Sequence, residues 1–453
     1  MLTDAHTQAL SRLTSIKTMV LVMLFAFFAS FDYALSRSQI ESLYNVVWHS
    51  RGELLWLATA VILFLVVSIY NYFAVRKNLW LIGLIAICIS SVLLFLLARN
   101  LPVIILKKEK YSFFEKMITF LLALWKDVYV IILIEVFWTF VSVVNKIRSA
   151  RSLYGVFAFI GSFGDFVGNF CAKQIPPSWK DSFLGPYPTV LLVLPFLLIT
   201  GVFAFLLYRS VGEYQSIFQD KKEQPTFIEG LKVVRKSPYL LYILITIAIF
   251  QIVTGFIQKQ LDLLLNTNFS VAKQDSLRNN IYLWISMSSI VLSFINSLLF
   301  RFVKVQWPLF GIPLVIGGLA LSFSVSSTLG FLPLAFQFVA MAYIASKCFN
   351  YSVFRSAKEL LYVPLTYVEK VQGKGLIDMF VYRFGKAFAG LLLLPIHLFH
   401  GNAYLGWFSV SLVGIWITIT IPLLKNYYER VRSQIIQEEK PGMMIPEKVE
   451  NNQ

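Results

Sequence analysis

The chain has 453 residues, of which 57% are hydrophobic, 16% aromatic and only 14% charged, with a mean hydropathy of +0.70. A soluble domain is typically about a quarter charged, so this composition excludes an ordinary soluble enzyme, a disordered chain, a coiled coil and a collagen, and leaves an all-α polytopic membrane protein. The formal net charge of +16 would suggest nucleic acid in a soluble protein; here it reads as Lys and Arg gathered in cytoplasmic loops, and no nucleic-acid partner is expected.

A helix needs about 20 mostly apolar residues to cross a bilayer. The polar stretch Met1 to Lys17 has no cleavage pattern after the apolar run that follows it, and is expected to be a cytoplasmic tail entering the first span. Candidate spans lie near 18–37, 53–75, 79–99, 117–144, 154–172 and 188–208, then near 239–261, 280–300, 308–326, 330–350, 383–399 and 404–425. The expectation is about twelve transmembrane helices in two six-helix bundles, 1–208 and 239–430. Between them, 209–238 holds a flexible Asp220–Pro225 stretch and an amphipathic helix in which Phe227, Leu231 and Val234 alternate with Glu229, Lys232, Arg235 and Lys236. The tail over 431–453 is charged and expected to be disordered.

With both termini cytoplasmic, inward loops collect Arg76, Lys77, Lys146, Arg148, Arg151, Lys221, Lys222, Arg301, Lys304 and the basic residues of 355–386, outnumbering outward basic residues by roughly two to one. One loop runs against this: 99–116 holds Arg99, Lys107, Lys108, Lys110 and Lys116 and must face outward. Cys88, Cys171 and Cys348 show neither disulfide nor zinc spacing, and the four histidines form no metal set. No catalytic or nucleotide-cradling motif is present, so no enzyme activity, metal or cofactor is implied.

Charge inside the spans is then where function is sought, because Lys or Asp at a span centre costs about 2.5–3.5 kcal/mol and normally faces a cavity or a partner. Helix four carries Lys126, Asp127 and Glu135. Nine residues at about 100° each put Lys126 and Glu135 on opposite faces. Lys126 either lines a cavity and attracts an anion or ties neighbouring helices together. Helix one offers Asp32, Arg37 and Glu41, with Arg37 and Glu41 at the i,i+4 spacing of surface partners. Thr254, Gln258 and Lys259 occupy the matching region of helix seven. Helix five has Asp165 among Gly161, Gly164 and Gly168, small residues that suit close packing. A faint internal echo relates Gln39-Ile40-Glu41-Ser42-Leu43 to Gln260-Leu261-Asp262-Leu263-Leu264, and Lys126 to Lys347, each in the fourth helix of its half.

The segments Lys358-Glu359-Leu360-Leu361-Tyr362-Val363-Pro364-Leu365, Lys370 to Asp378 and Arg383-Phe384-Gly385-Lys386 to Gly390 resemble the hallmark motifs of the ATP/ADP translocase (nucleotide transporter) family of intracellular bacteria and plastids, KEMAYIPL, KxKGKAAID and RxGKSGG. Ser237-Pro238-Tyr239-Leu240 is similar to its SPYL, and Asp32-Tyr33 with Arg37 looks like its NYTxLR. Trp138, Phe140, Ala150 and Tyr154 keep its spacing. The resemblance implies a major-facilitator-like fold, a bacterial inner membrane and exchange of nucleotides by alternating access. Several of the family's charges are replaced: Ile40 and Thr254 stand at two of its charged positions, and Lys126 and Arg355 where it has acids. Lys386 keeps the GKSGG lysine.

The reading that follows is a secondary transporter, expected to act as a monomer, that exchanges ATP/ADP-like nucleotides or a related anionic metabolite. Lys126, Lys347 and Lys386 would bind the anion and Arg37 would gate it. Glu135, Asp32 and Asp165 would serve as counter-ions or proton carriers, and Thr254, Gln258 and Lys259 form a helix-seven site. Lys386 could instead snorkel to the interface. The alternatives are a proton-coupled transporter of a non-nucleotide solute and a membrane assembly protein that transports nothing.

Overall fold

A computed structural model describes residues 15–74, 78–101, 110–144, 150–175, 187–215, 227–366, 369, 373–377, 382–398 and 404–439. Several positions singled out in the sequence lie outside them: Arg76, Lys77, Lys107, Lys108, Lys146, Arg148, Lys221, Lys222, the Asp220–Pro225 stretch, Lys370 and Asp378.

The regular structure among the described residues is all helical, joined by turns. The N-terminal half comprises α1 (Ile16–Val47), α2 (Gly52–Ala74), α3 (Leu79–Arg99), α4 (Phe113–Val144), α5 (Ala150–Gln174) and α6 (Pro188–Gln215). A short amphipathic helix, α7 (Phe227–Lys236), follows and buries Val234 against the second half while leaving Leu231 exposed. The second half holds α8 (Pro238–Asn268), α9 (Val271–Phe302), α10 (Gln306–Thr328), α11 (Leu332–Tyr351), α12 (Val353–Leu361), α13 (Lys374–Leu376), α14 (Tyr382–Leu398) and α15 (Leu405–Glu439). Short helices α12 and α13 lie at the same end of the bundle as α7, here the linker face; the opposite end, with the α1–α2 and α8–α9 turns, is the far face.

Local chemistry starts these helices where they start. Ser15 Oγ accepts from the Thr18 amide, and Asn78 Oδ1 from the Trp80 amide at 2.9 Å. Ser112 and Glu115 form a capping box at the head of α4, with the Ser112 amide donating to Glu115 Oε2 at 2.8 Å. Pro238 supplies the first turn of α8, where its missing N–H costs nothing.

Twelve long helices match the expected number, but many bounds differ. α1 runs to Val47 rather than ending near 37, α9 begins at Val271 rather than near 280, and α15 continues to Glu439 into the stretch expected to be disordered. Among the described residues nine helices are long and apolar enough to cross a membrane; α5, α9 and α14 are the long helices that fall short. These three lie at the seam, α5 against α9 and α14 against α2. Asp165 and Asn169 of α5, Arg278 and Ser286 of α9 and Lys386 of α14 sit at this seam, and such polar residues lower the hydropathy of their helices.

Lipid tails are as apolar as Leu, so the helices associate by close packing and polar contacts rather than by a hydrophobic drive. Gly164 and Gly168 bring α5 onto the α1 backbone: a Cβ at Gly164 would meet Phe27 O at 2.3 Å, and one at Gly168 would meet Phe31 O at 2.6 Å. Each half centres on an aromatic cluster, Phe25–Trp80–Phe140 with ring centroids 5.1 Å apart, and Phe250–Phe354–Trp416 with Phe250 4.4 Å from Phe354.

Candidate functional site

Between the halves lies a cavity of about 80 Å³. Its charged lining is Arg37 and Glu41 from α1, Lys126 and Asp127 from α4, Asp262 from α8, Arg278 from α9, Lys347 from α11 and Lys386 from α14. Five cations therefore face three carboxylates. Tyr33, Tyr44, Trp56, Tyr282, Tyr343 and Tyr351 supply aromatic walls. Binding pockets for small molecules usually measure about 300–1,000 Å³, so the cavity as it stands has room for a few waters and must widen to admit a metabolite.

On the N-terminal side the cations are committed. Lys126 Nζ donates to Glu41 Oε1 at 2.8 Å and lies 3.0 Å from Asp127 Oδ1. Arg37 sits 3.7 Å from Asp165 Oδ1 and stacks over the Tyr282 ring at 3.6 Å. The expected Arg37–Glu41 surface pairing is thus corrected. α1 continues as a buried helix there, and its two charges turn to different helices, Arg37 to α5 and Glu41 to α4 and α9.

Lys347 and Lys386 differ. Among the described residues neither has a carboxylate within ion-pair distance; Lys347 lies 5.3 Å from the Tyr343 ring centroid and Lys386 5.9 Å from that of Trp56. The Gly385-Lys386 pair explains how the second amine gets there. A Cβ at Gly385 would come within 2.4 Å of Gln251 Cβ, so only glycine lets α14 lie this close to α8 with Lys386 turned to the cavity. Lys386 lines the cavity.

Gln258 also lines the cavity, whereas the remaining candidates lie elsewhere. Asp32 is sealed inside the N-terminal half, accepting from Thr200 Oγ1 at 2.8 Å. Glu135 is half-buried further along α4, outside the lining. Asp165 stands behind Arg37 and accepts from Ser286. Thr254 is buried on α8 away from the cavity. Lys259 pairs with Glu53 at 2.8 Å and donates to Ser50 O at 2.5 Å, with both charged side chains 1% exposed.

Sequence reasoning missed Glu53, Arg278 and the α1–α2 turn. Toward the far face Arg278 Nη2 lies 2.6 Å from Asp262 Oδ1, Asn45 Nδ2 donates to the same oxygen at 3.1 Å, and Ser38 Oγ donates to Asp275 Oδ1 at 2.8 Å. His49 and Ser50 hold left-handed backbone at φ 48° and 59°, a conformation that costs non-glycine residues energy and persists where surroundings enforce it. Ser50 is held by its hydroxyl on Asp262 O and by Lys259 on its carbonyl. Two adjacent positive φ values leave no mark in sequence. At the linker face the halves also meet, with the Arg355 guanidinium 5.2 Å from the Trp138 ring centroid.

Two helical bundles enclosing a charged cavity form an arrangement that suits a membrane transporter. Solved structures share that fold. A bacterial homologue of the iron transporter ferroportin in an inward-facing state superposes with a TM-score of 0.66 at 9% identity, covering 90% of this chain and 99% of that one. A D-xylose–proton symporter gives 0.59 at 13% identity over 88% and 96%.

Residues 89–427 match the family described as TLC ATP/ADP transporter. The chain belongs to that family; it is a secondary transporter with a major-facilitator-like fold, not an enzyme. ADP,ATP carrier protein 3 of Rickettsia felis is 22% identical over 340 residues, 65% of this chain and 67% of that protein. ADP,ATP carrier protein 1 of Chlamydia pneumoniae is 32% identical over 93 residues, 19% and 18% of the two chains.

Proposed function

We propose that the protein exchanges nucleotides, or closely related phosphate-bearing metabolites, across a bacterial inner membrane, acting as a monomer with both termini in the cytoplasm. One observation carries this reading: the uncommitted amines of Lys347 and Lys386 face a single cavity. Two half-buried cations without carboxylates are costly unless an anion completes them. A phosphate group brings charge and several acceptor oxygens to both at once, and the tyrosines and Trp56 offer rings on which a base can stack. The relatives named as ADP,ATP carriers support the same solute class. Arg37, Lys126 and Gln258 complete the binding surface from the other walls. Asp165 acts through Arg37 as its counter-ion.

The test is exchange of labelled ATP or ADP into proteoliposomes preloaded with unlabelled nucleotide, beside a thermal-shift screen of the purified protein. A ligand that binds the native state raises apparent stability by RT ln(1+[L]/Kd). Uptake that requires internal nucleotide, with a matching rise in Tm, is the expected result. If ATP, ADP, GTP and NAD leave the melting curve unmoved while another anion raises it, the nucleotide assignment is lost.

A further inference from the structure

Among the described residues, Glu41 is the one carboxylate at the cavity that cations from both halves share. Lys126 of the N-terminal half donates to its Oε1 at 2.8 Å, while Arg278 of the second half lies 3.6 Å from its Oε2 and Tyr282 donates to that same oxygen. The Glu41 side chain is 17% exposed, against 3% for both Lys126 and Arg278, the two cations it holds. A solute entering the cavity reaches Glu41 before it reaches the cations behind it.

We propose that Glu41 is a displaceable counter-ion, which occupies in the empty transporter the cations that an anionic solute takes on binding, and whose charge ties the halves at the far face until then. The proposal rests on the anionic-solute reading above. Each cation it holds has a second carboxylate, Asp127 at 3.0 Å for Lys126 and Asp262 at 2.6 Å for Arg278. Losing Glu41 therefore strands neither cation, which is the property a releasable tie needs. Asp262 and Glu53 lack that freedom. Asp262 is fixed by Arg278 and Asn45, and Glu53 by Lys259 in a dry pair. A solute phosphate that engages Lys126 and Arg278 together competes with Glu41, the acid that bridges the two. It thereby shifts the halves toward the parted state only by its preference for that state. Without an anion the tie re-forms and the empty carrier stays closed at this face, so movement of one solute requires another.

Ser42 provides a reporter. It lies on the α1 face that carries Ser38 and Asn45 into the seam, is 1% exposed, and its hydroxyl has no hydrogen-bond partner. With Cys88, Cys171 and Cys348 changed to Ser, a Ser42→Cys reporter is labelled by a water-soluble maleimide in purified protein without solute. We expect Glu41→Gln to speed labelling about tenfold, the effect of weakening one charge-assisted tie, and Glu41→Asp to label as slowly as the parent. ADP or pyrophosphate should speed the parent and add nothing to Glu41→Gln. Should Glu41→Gln fail to fold, Tyr282→Phe loosens the same tie more gently and is expected to speed labelling about threefold. Parental rates in Glu41→Gln, or equal rates in Glu41→Gln and Glu41→Asp, overturn the proposal. If the variants behave as expected but neither anion moves the parent, the tie stands and the nucleotide reading fails.

Discussion

Lys126 on α4 and Lys347 on α11 occupy the fourth long helix of their halves, and Glu41 on α1 and Asp262 on α8 the first. Yet the halves use these matched residues differently. In the N-terminal half the first-helix acid reaches across to the fourth-helix lysine. In the second half Asp262 is taken by Arg278, and Lys347 is left facing the cavity beside Lys386. The repeat supplies equivalent positions; one arginine on α9 decides which lysine is neutralised. The division of labour that follows is physical. A paired lysine holds the bundle and switches partners, and an unpaired one waits for a ligand.

That contrast breaks most visibly if the free amines are removed together. Lys347→Gln with Lys386→Gln should weaken binding of the transported anion on the order of a thousandfold. Charge-assisted hydrogen bonds contribute about 1.5–3 kcal/mol each, and every 1.4 kcal/mol is tenfold. The measurement is the Kd from titration of the purified protein, with the melting curve as a control for folding. A loss of less than tenfold would assign binding to the N-terminal wall instead.

Not every lysine of the second half is free, and Lys259 sharpens the distinction. Lys259→Met leaves Glu53 buried at 1% exposure with no cation. Stranding one partner of a buried pair costs about 3–5 kcal/mol, whereas replacing both by apolar residues is often neutral. Tm in detergent should fall clearly for Lys259→Met and recover in Lys259→Met with Glu53→Leu. The matched pair of single changes completes the comparison. Lys126→Met should cost about 2 kcal/mol, because Asp127 is left alone while partly solvated. Lys347→Met should leave Tm unchanged or raise it, since it removes an amine that lacks a carboxylate. Equal losses in both would erase the asymmetry.

Much of this could be read before any coordinates. The all-helical membrane fold, and Arg37, Lys126, Lys347 and Lys386 as candidate binding cations, could be drawn from hydropathy, intramembrane charge and the family resemblance around Gly385-Lys386, and all four line the cavity. The partners could not be read. Span limits drawn by apolarity stop where charge begins, so α1 was expected to end near Arg37 and α9 to start after Arg278. Those charges are the seam, and the helices continue through them. For Glu41 the sequence displays only its i,i+4 spacing to Arg37. Its actual partners are 85 and 241 residues away in the chain for Lys126 and Tyr282. Asp32 shows the converse, an intramembrane acid that accepts from Thr200 and lies outside the cavity lining.

The smallest expected effect lies outside the spans, where the second half has a clasp for which no N-terminal counterpart is described. Glu369, in the loop after α12, accepts from Ser237 at the head of α8 and from Arg430 on α15, at 2.8 Å in each case. Burial opposes its charge, but the hydrogen bonds from Arg430 and Ser237 outweigh burial and hold its carboxyl down at about 2. The folded value lies below the ordinary 4.5, so the stabilisation is fully present above pH 4.5 and is lost as the pH falls through 2. Glu369→Gln should lower Tm by about 2 °C at neutral pH, the scale of one partly exposed charge pair. The gap to the parent should stay constant down to pH 4.5 and close below it. A gap that instead closes on the alkaline side of neutrality would mean that Arg430 stabilises this face through some partner other than Glu369.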